Sequence, residues 1–215
     1  MQQTVASKAM NHPAHSSRRT QGFTMLEVLI SILIIALGLL GLAGLQTRIQ
    51  QAEFESYQRS QAVVILHDMV DRINANRATA SCFAITSASA GTPFYGYGSG
   101  ALAACGASTS ANNTRADIAM DGWDDMLKGA AETKSGSSVG AMVNARGCVS
   151  YDSTTELTDA GGATVSGTGI YTITVTWQGL GDTITPSSTC ASDQYTANPA
   201  RRRAISTTTR LATLR

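Results

Sequence analysis

From Phe23 to Leu45 the chain reads FTMLEVLISILIIALGLLGLAGL, apolar apart from Thr24, Glu27 and Ser31. A helix over this stretch spans roughly 30–35 Å, enough to cross the hydrocarbon core of a bilayer. The residues before it carry Lys8, Arg18 and Arg19 and no acid. The positive-inside rule therefore keeps the leader cytoplasmic and places everything after Gln46 outside the cytoplasm. Arg48 weakens that asymmetry slightly without reversing it. A secretory signal peptide has a shorter apolar core and a small-residue cleavage site at its far end. Gly41, Ala43 and Gly44 offer small residues there, but this run is long and it carries a carboxylate.

Glu27 is the informative residue. A charge in a membrane helix costs roughly 2.5–3.5 kcal/mol at the bilayer centre, less near an interface, and one that is kept points to a function. No Lys or Arg occurs between Arg19 and Arg48. Its partner must come from another chain or from a newly made terminus; the plainer alternative is an acid tolerated at the membrane edge. The run Gly22-Phe23-Thr24-Met25-Leu26-Glu27-Val28, after a short basic leader and before the apolar stretch, resembles the type IV pilin and pseudopilin signature. The resemblance implies that a prepilin peptidase cuts between Gly22 and Phe23 on the cytoplasmic side. It also implies that Phe23 is N-methylated and that the apolar segment stays in the mature protein. Glu27 then matches the family's glutamate that pairs with the N-terminal amine of a neighbouring subunit. Gly22 suits its role physically, because a side chain there crowds a protease closing on the backbone.

Gly38, Gly41 and Gly44 recur every three residues along the apolar segment. Each costs about 1 kcal/mol relative to alanine inside a helix in water. They are either the ordinary glycine content of a membrane helix or points where the helix bends, stretches or packs closely. Beyond Gln46 the pattern turns amphipathic: Ile49, Ala52, Tyr57, Val63, Leu66, Val70 and Ile73 recur near helical spacing among charged residues. A helix over residues 23–76 is expected, roughly 80 Å long, with Asn74 and Asn76 as its stop. Its apolar stripe is the face expected to pack on the domain that follows. His67 is read as a surface or filler residue.

Removing the leader takes the formal charge from +1 to about −2, so polyanion binding is disfavoured and no nucleic-acid partner is expected. It also leaves His67 as the one mature histidine. Cys82, Cys105, Cys148 and Cys190 form no CxxC pair and all follow the apolar segment. In an oxidising compartment they read as two disulfides with three possible connectivities. Sequential pairing, Cys82–Cys105 with Cys148–Cys190, closes the shorter loops and is preferred. Asp121, Asp124 and Asp125 lack the calcium-loop register, so no metal and no cofactor is expected. Residues 79–114 read as loops tied by a disulfide. Asp117–Lys128 reads as a short helix burying Ile118, Trp123, Met126 and Leu127. Strands are expected over Ala141–Tyr151, Ile170–Trp177 and, more weakly, Ala204–Leu214. In the second, Tyr171, Ile173, Val175 and Trp177 face the long helix while the threonines face outward. Arg201, Arg202 and Arg203 read as a solvated loop, or else as a contact to a neighbouring subunit.

A long helix followed by an antiparallel sheet with disulfides is the pilin architecture, so the expected fold is α+β and pilin-like. GLLGLAGLQ, HDMVDRINANR from His67 to Arg77, and IYTITVTWQG resemble PilV-type minor pilins, the type IV pilus modification proteins. The expected organisation is a leader over 1–22, a membrane or filament-core half-helix over 23–45, an amphipathic half over 46–78 and a head over 79–215. The resemblance implies a minor pilin that helps assemble, prime or modify the filament. Its implied partners are prepilin peptidase, other pilins and minor pilins, and the inner membrane. A type II secretion pseudopilin shares the leader and helix chemistry and is the alternative. No GxSxG, HExxH or phosphate loop supports an enzyme; a Ser/Lys pair using Lys128 or Lys134 is the residual catalytic option.

Overall fold

The computed structural model describes residues 22–130, 133–135, 137–138, 140 and 142–212. Residues 1–21 of the expected leader, Ala141, Leu214 and the side chain of Lys134 lie outside these residues. Helix α1 runs Met25–Ala75. Contacts divide the chain into a unit ending at Thr47 and one beginning at Arg48. In the first, α1 is exposed over its whole length, and it is long and apolar enough to cross a membrane.

The second unit holds the rest of α1, the short helix α2 (Ala80–Phe83) and α3 (Ser110–Leu127). Its main sheet is antiparallel in the order β1 (Tyr95–Gly96), β4 (Val143–Asp152), β7 (Ile170–Gln178), β8 (Arg202–Arg210). Two small hairpins pair β2 (Thr133–Lys134) with β3 (Ser137–Ser138) and β5 (Leu157–Thr158) with β6 (Thr164–Val165). One long helix packed on a small antiparallel sheet is the expected α+β arrangement. The core lies between them. Ala62, Ile65, Leu66, Met69 and Ile73 of α1 share one cluster with Val149 of β4 and Tyr171, Ile173, Val175 and Trp177 of β7. Their i, i+3, i+4 spacing explains the fit, since residues so spaced share one helix face.

Helix α3 fills the end of this core with Ala116, Met120, Trp123 and Leu127. Trp123 is fully buried, donates its indole N–H to the Ile65 carbonyl at 2.8 Å, and meets Tyr95 edge-on at 5.0 Å. Gly147 of β4 makes room for it: a Cβ there would lie 2.1 Å from the Trp123 ring. Asp124, also buried, accepts from the Gly96 amide at 2.6 Å and the Ser99 hydroxyl at 3.0 Å, fixing β1 to α3. Burial, then the Asp124 charge, raises the Tyr95 phenol; burial also pushes Tyr171 up to about 12.

Several expectations change. Helix α3 begins at Ser110 rather than Asp117, capped by the Thr109 side chain, so the stretch read as loop is shorter. Ile118 is exposed, not buried, because it stands two residues from both Ala116 and Met120 and so on the opposite side of α3 from its buried face. The stripe on α1 starts only at Gln58, and Ile49, Ala52 and Tyr57 stay exposed. The threonine face of β7 is not outward: Thr174 and Thr176 are buried. The segment after β7 folds back over that face, where its Cys190, Ala191 and Tyr195 form a second apolar cluster with Phe94 and with Cys148 of β4. Disulfides join Cys82 to Cys105 and Cys148 to Cys190.

The arginine triplet is structural. Arg202 is buried and donates to the carbonyls of Cys190 (3.0 Å), Ser188 (2.6 Å) and Pro186 (2.9 Å), and its burial lowers its pKa from the usual arginine value. Arg201 pairs with Asp182 and Arg203 with Glu55. None of the three is the free loop cation that composition suggested. Three guanidinium groups in a row read as solvated until the carbonyls and carboxylates that meet them are placed by the fold.

Candidate processing and assembly site

Gly22, Phe23 and Thr24 precede α1 outside regular structure, and all three are exposed. Thr24 starts the helix: its carbonyl accepts from the amides of Glu27 at 3.1 Å and Val28 at 3.3 Å, and its hydroxyl accepts from Glu27 at 3.3 Å. This satisfies amide groups that every helix N-terminus leaves open. The Gly22–Phe23 peptide bond thus sits just before the first turn, outside the helical hydrogen-bond ladder. A Cβ on Gly22 would meet nothing within 4 Å.

Glu27 lies in the first turn, where the helix dipole favours a negative charge. Among the described residues its carboxylate has no ion-pair or hydrogen-bond partner; only its carbonyl is engaged further, by the Ser31 hydroxyl at 2.7 Å. Around it Phe23, Met25, Leu26, Ile30 and Leu33 are exposed. This end of the chain presents an unpaired acid within a continuous apolar surface. Such a surface needs lipid or other apolar helices around it.

Residues 17–43 match the prokaryotic N-terminal methylation motif. Residues 44–114 match the family model described as type IV pilin Tt1218. Together they support a type IV pilin with a prepilin leader. The two matches abut and end with Thr114, early in α3, so β4, β7 and β8 lie beyond both. No curated protein and no solved structure matches the chain. The motif and the exposed apolar helix fit a membrane-anchored pilin. They also imply processing by prepilin peptidase and assembly with other pilins. The matched pilin family is one of structural subunits.

The head adds residues that sequence reading missed. Glu55 of α1 accepts from the amides of Leu180 and Gly181, each at 3.2 Å, and from Arg203 at 3.0 Å. It ties the loop after β7 and the start of β8 to the helix. Arg146 of β4, buried, lies 5.5 Å from the ring centres of Phe94 and Tyr97 and 4.8 Å from that of Tyr195. Cation–π contacts of this kind gain strength when desolvated, and here they hold three segments together. Neither residue stands in a local motif that could have marked it.

Proposed function

We propose that this chain is a minor pilin of the PilV type, cut between Gly22 and Phe23, methylated on Phe23 and inserted into the type IV pilus. Before assembly it sits in the inner membrane with residues 23–45 spanning and its disulfide-bonded head in the periplasm. There it helps prime, assemble or modify the filament. The observation that carries this reading is the register of Gly22, Phe23 and Glu27 at the start of an exposed apolar helix. The three segments with PilV-like letters favour the subtype over a secretion pseudopilin. Mass spectrometry of the protein from cells with active prepilin peptidase should give an N-terminus at Phe23 carrying one added methyl group. Any other N-terminus ends the proposal. Deleting the gene should abolish piliation or twitching and leave secretion intact; the opposite pair of outcomes assigns the chain to a pseudopilus.

Glu27 is proposed to pair with the N-terminal amine of a neighbouring subunit. Breaking a desolvated pair by removing one partner typically costs 3–5 kcal/mol. Glu27→Ala should therefore reach the membrane and be cut, yet enter filaments about tenfold less or worse. Quantitative blotting of sheared filaments against the membrane pool measures this. Wild-type incorporation would show that the pairing is dispensable.

A further inference from the structure

Where α1 meets the loop after β7, two grooves of about 290 and 280 Å³ lie side by side and share Glu55. The first is lined by Glu55, Ser56, Arg59, Trp177 and Arg203, the second by Arg48, Gln51, Ala52, Glu55, Leu180 and Gly181. Three guanidinium groups thus face one carboxylate, and that carboxylate is already committed to Arg203 and two amides. Arg48 and Arg59 are exposed and enter no ion pair among the described residues. Beside them the same loop exposes Leu180 (46%) and Ile184 (94%). A cationic groove with an apolar lip fits an amphipathic helix whose apolar residue is flanked by acids.

The chain carries that helix face itself. On α3, Ile118 is 68% exposed, and Asp121 and Asp125 lie three and seven residues further on, which places all three on one side. Both acids are exposed and neither enters an ion pair among the described residues. Among the described residues near this face, Arg115 enters no ion pair, whereas Arg72, which reaches the Ala119 carbonyl, is paired with Asp68 and Lys128 with Asp124. We propose that the Arg48/Arg59 groove of one copy receives the Ile118–Asp125 face of α3 from a second copy. The two surfaces differ, so the contact is heterologous and does not form a two-fold symmetric dimer. Exposed charge pairs contribute little individually. This contact therefore matters only where another interaction raises the effective concentration, and two apolar helices in one membrane or filament supply that.

This inference rests on the filament-subunit reading, and one sample tests both separately. Full-length protein in membranes is labelled with a photo-reactive phenylalanine at position 118, and the products are mapped by mass spectrometry. The expected product is a crosslinked dimer joining position 118 to residues 180–184 or to Arg48–Arg59. Arg59→Glu and Asp125→Arg should each lower its yield about fivefold or more, and the double variant should restore it. Raising the salt should weaken it in the wild type. A dimer mapped elsewhere, the absence of any dimer, or charge reversals without effect would overturn the contact. The N-terminus of the same protein reports independently on cleavage before Phe23, and so on the pilin reading.

Discussion

Chains carrying Gly22→Trp should accumulate in the membrane as uncut precursor, at less than about a tenth of the wild-type rate of processing. The site argues for a large effect confined to processing. Gly22 precedes the helix, and a side chain there meets nothing within 4 Å. Its glycine is thus not demanded by a turn or by packing in this chain. Under the proposed function the demand comes from the peptidase that closes on the backbone there. The head should fold as before, with both disulfides formed, because its core involves nothing before Gln58. Uncut chains also lack the Phe23 amine proposed as the partner of Glu27 in a neighbouring subunit, so they should be absent from filaments. The check is the intact mass of membrane-extracted protein beside its disulfide state. A Gly22→Trp chain processed at the normal rate would remove Gly22 from the recognition element.

The extent to which this molecule is legible in its sequence depends on the range of the interactions. Phe23–Leu45 announces a membrane-length helix because every residue contributes to one local sum. The alternation of Tyr171, Ile173, Val175 and Trp177 places β7, with all four buried against α1 or α3. What stays hidden is set by distant partners. Thr174 and Thr176 read as solvent-facing until the segment carrying Cys190 and Tyr195 covers them, with Tyr195 and Thr176 hydroxyls 3.2 Å apart. Arg202 reads as surface until three carbonyls converge on it. Glu55 is one exposed-looking acid among several on α1, distinguished only by a loop more than a hundred residues later. The processing junction was the reverse case. Under the proposed function its meaning lies in recognition by another protein, and the motif over residues 17–43 that suggests it is written in adjacent letters and needs no tertiary contact.

A single methyl group on Gly147 should destabilise the head more than a typical surface substitution does. Two effects oppose each other in Gly147→Ala. Alanine restricts the unfolded chain and by itself stabilises by about 0.4–1 kcal/mol where the backbone allows it. The added Cβ, however, would sit 2.1 Å and 2.5 Å from ring carbons of Trp123 and 2.7 Å from Leu127 Cδ1. The indole cannot swing aside, because it is fully buried, bonded to the Ile65 carbonyl and packed edge-on against Tyr95. Overpacking of this kind costs about 1–3 kcal/mol and sometimes more, so the steric term decides the sign. Trp123→Ala removes the ring instead and should cost about 3–5 kcal/mol. The informative experiment combines the two sites. Trp123→Phe deletes the ring atoms nearest the new methyl, so Gly147→Ala should cost much less in that background, a coupling read from chemical denaturation of the full chain in detergent. An additive double variant, or a neutral Gly147→Ala, would mean that the ring yields more easily than its contacts suggest. Under the proposed contact the coupling matters for assembly, because Trp123 binds α3 to the C-terminal half of α1 at Ile65. That contact helps determine how the groove at Arg59 and the acidic face of α3 are presented on the same head.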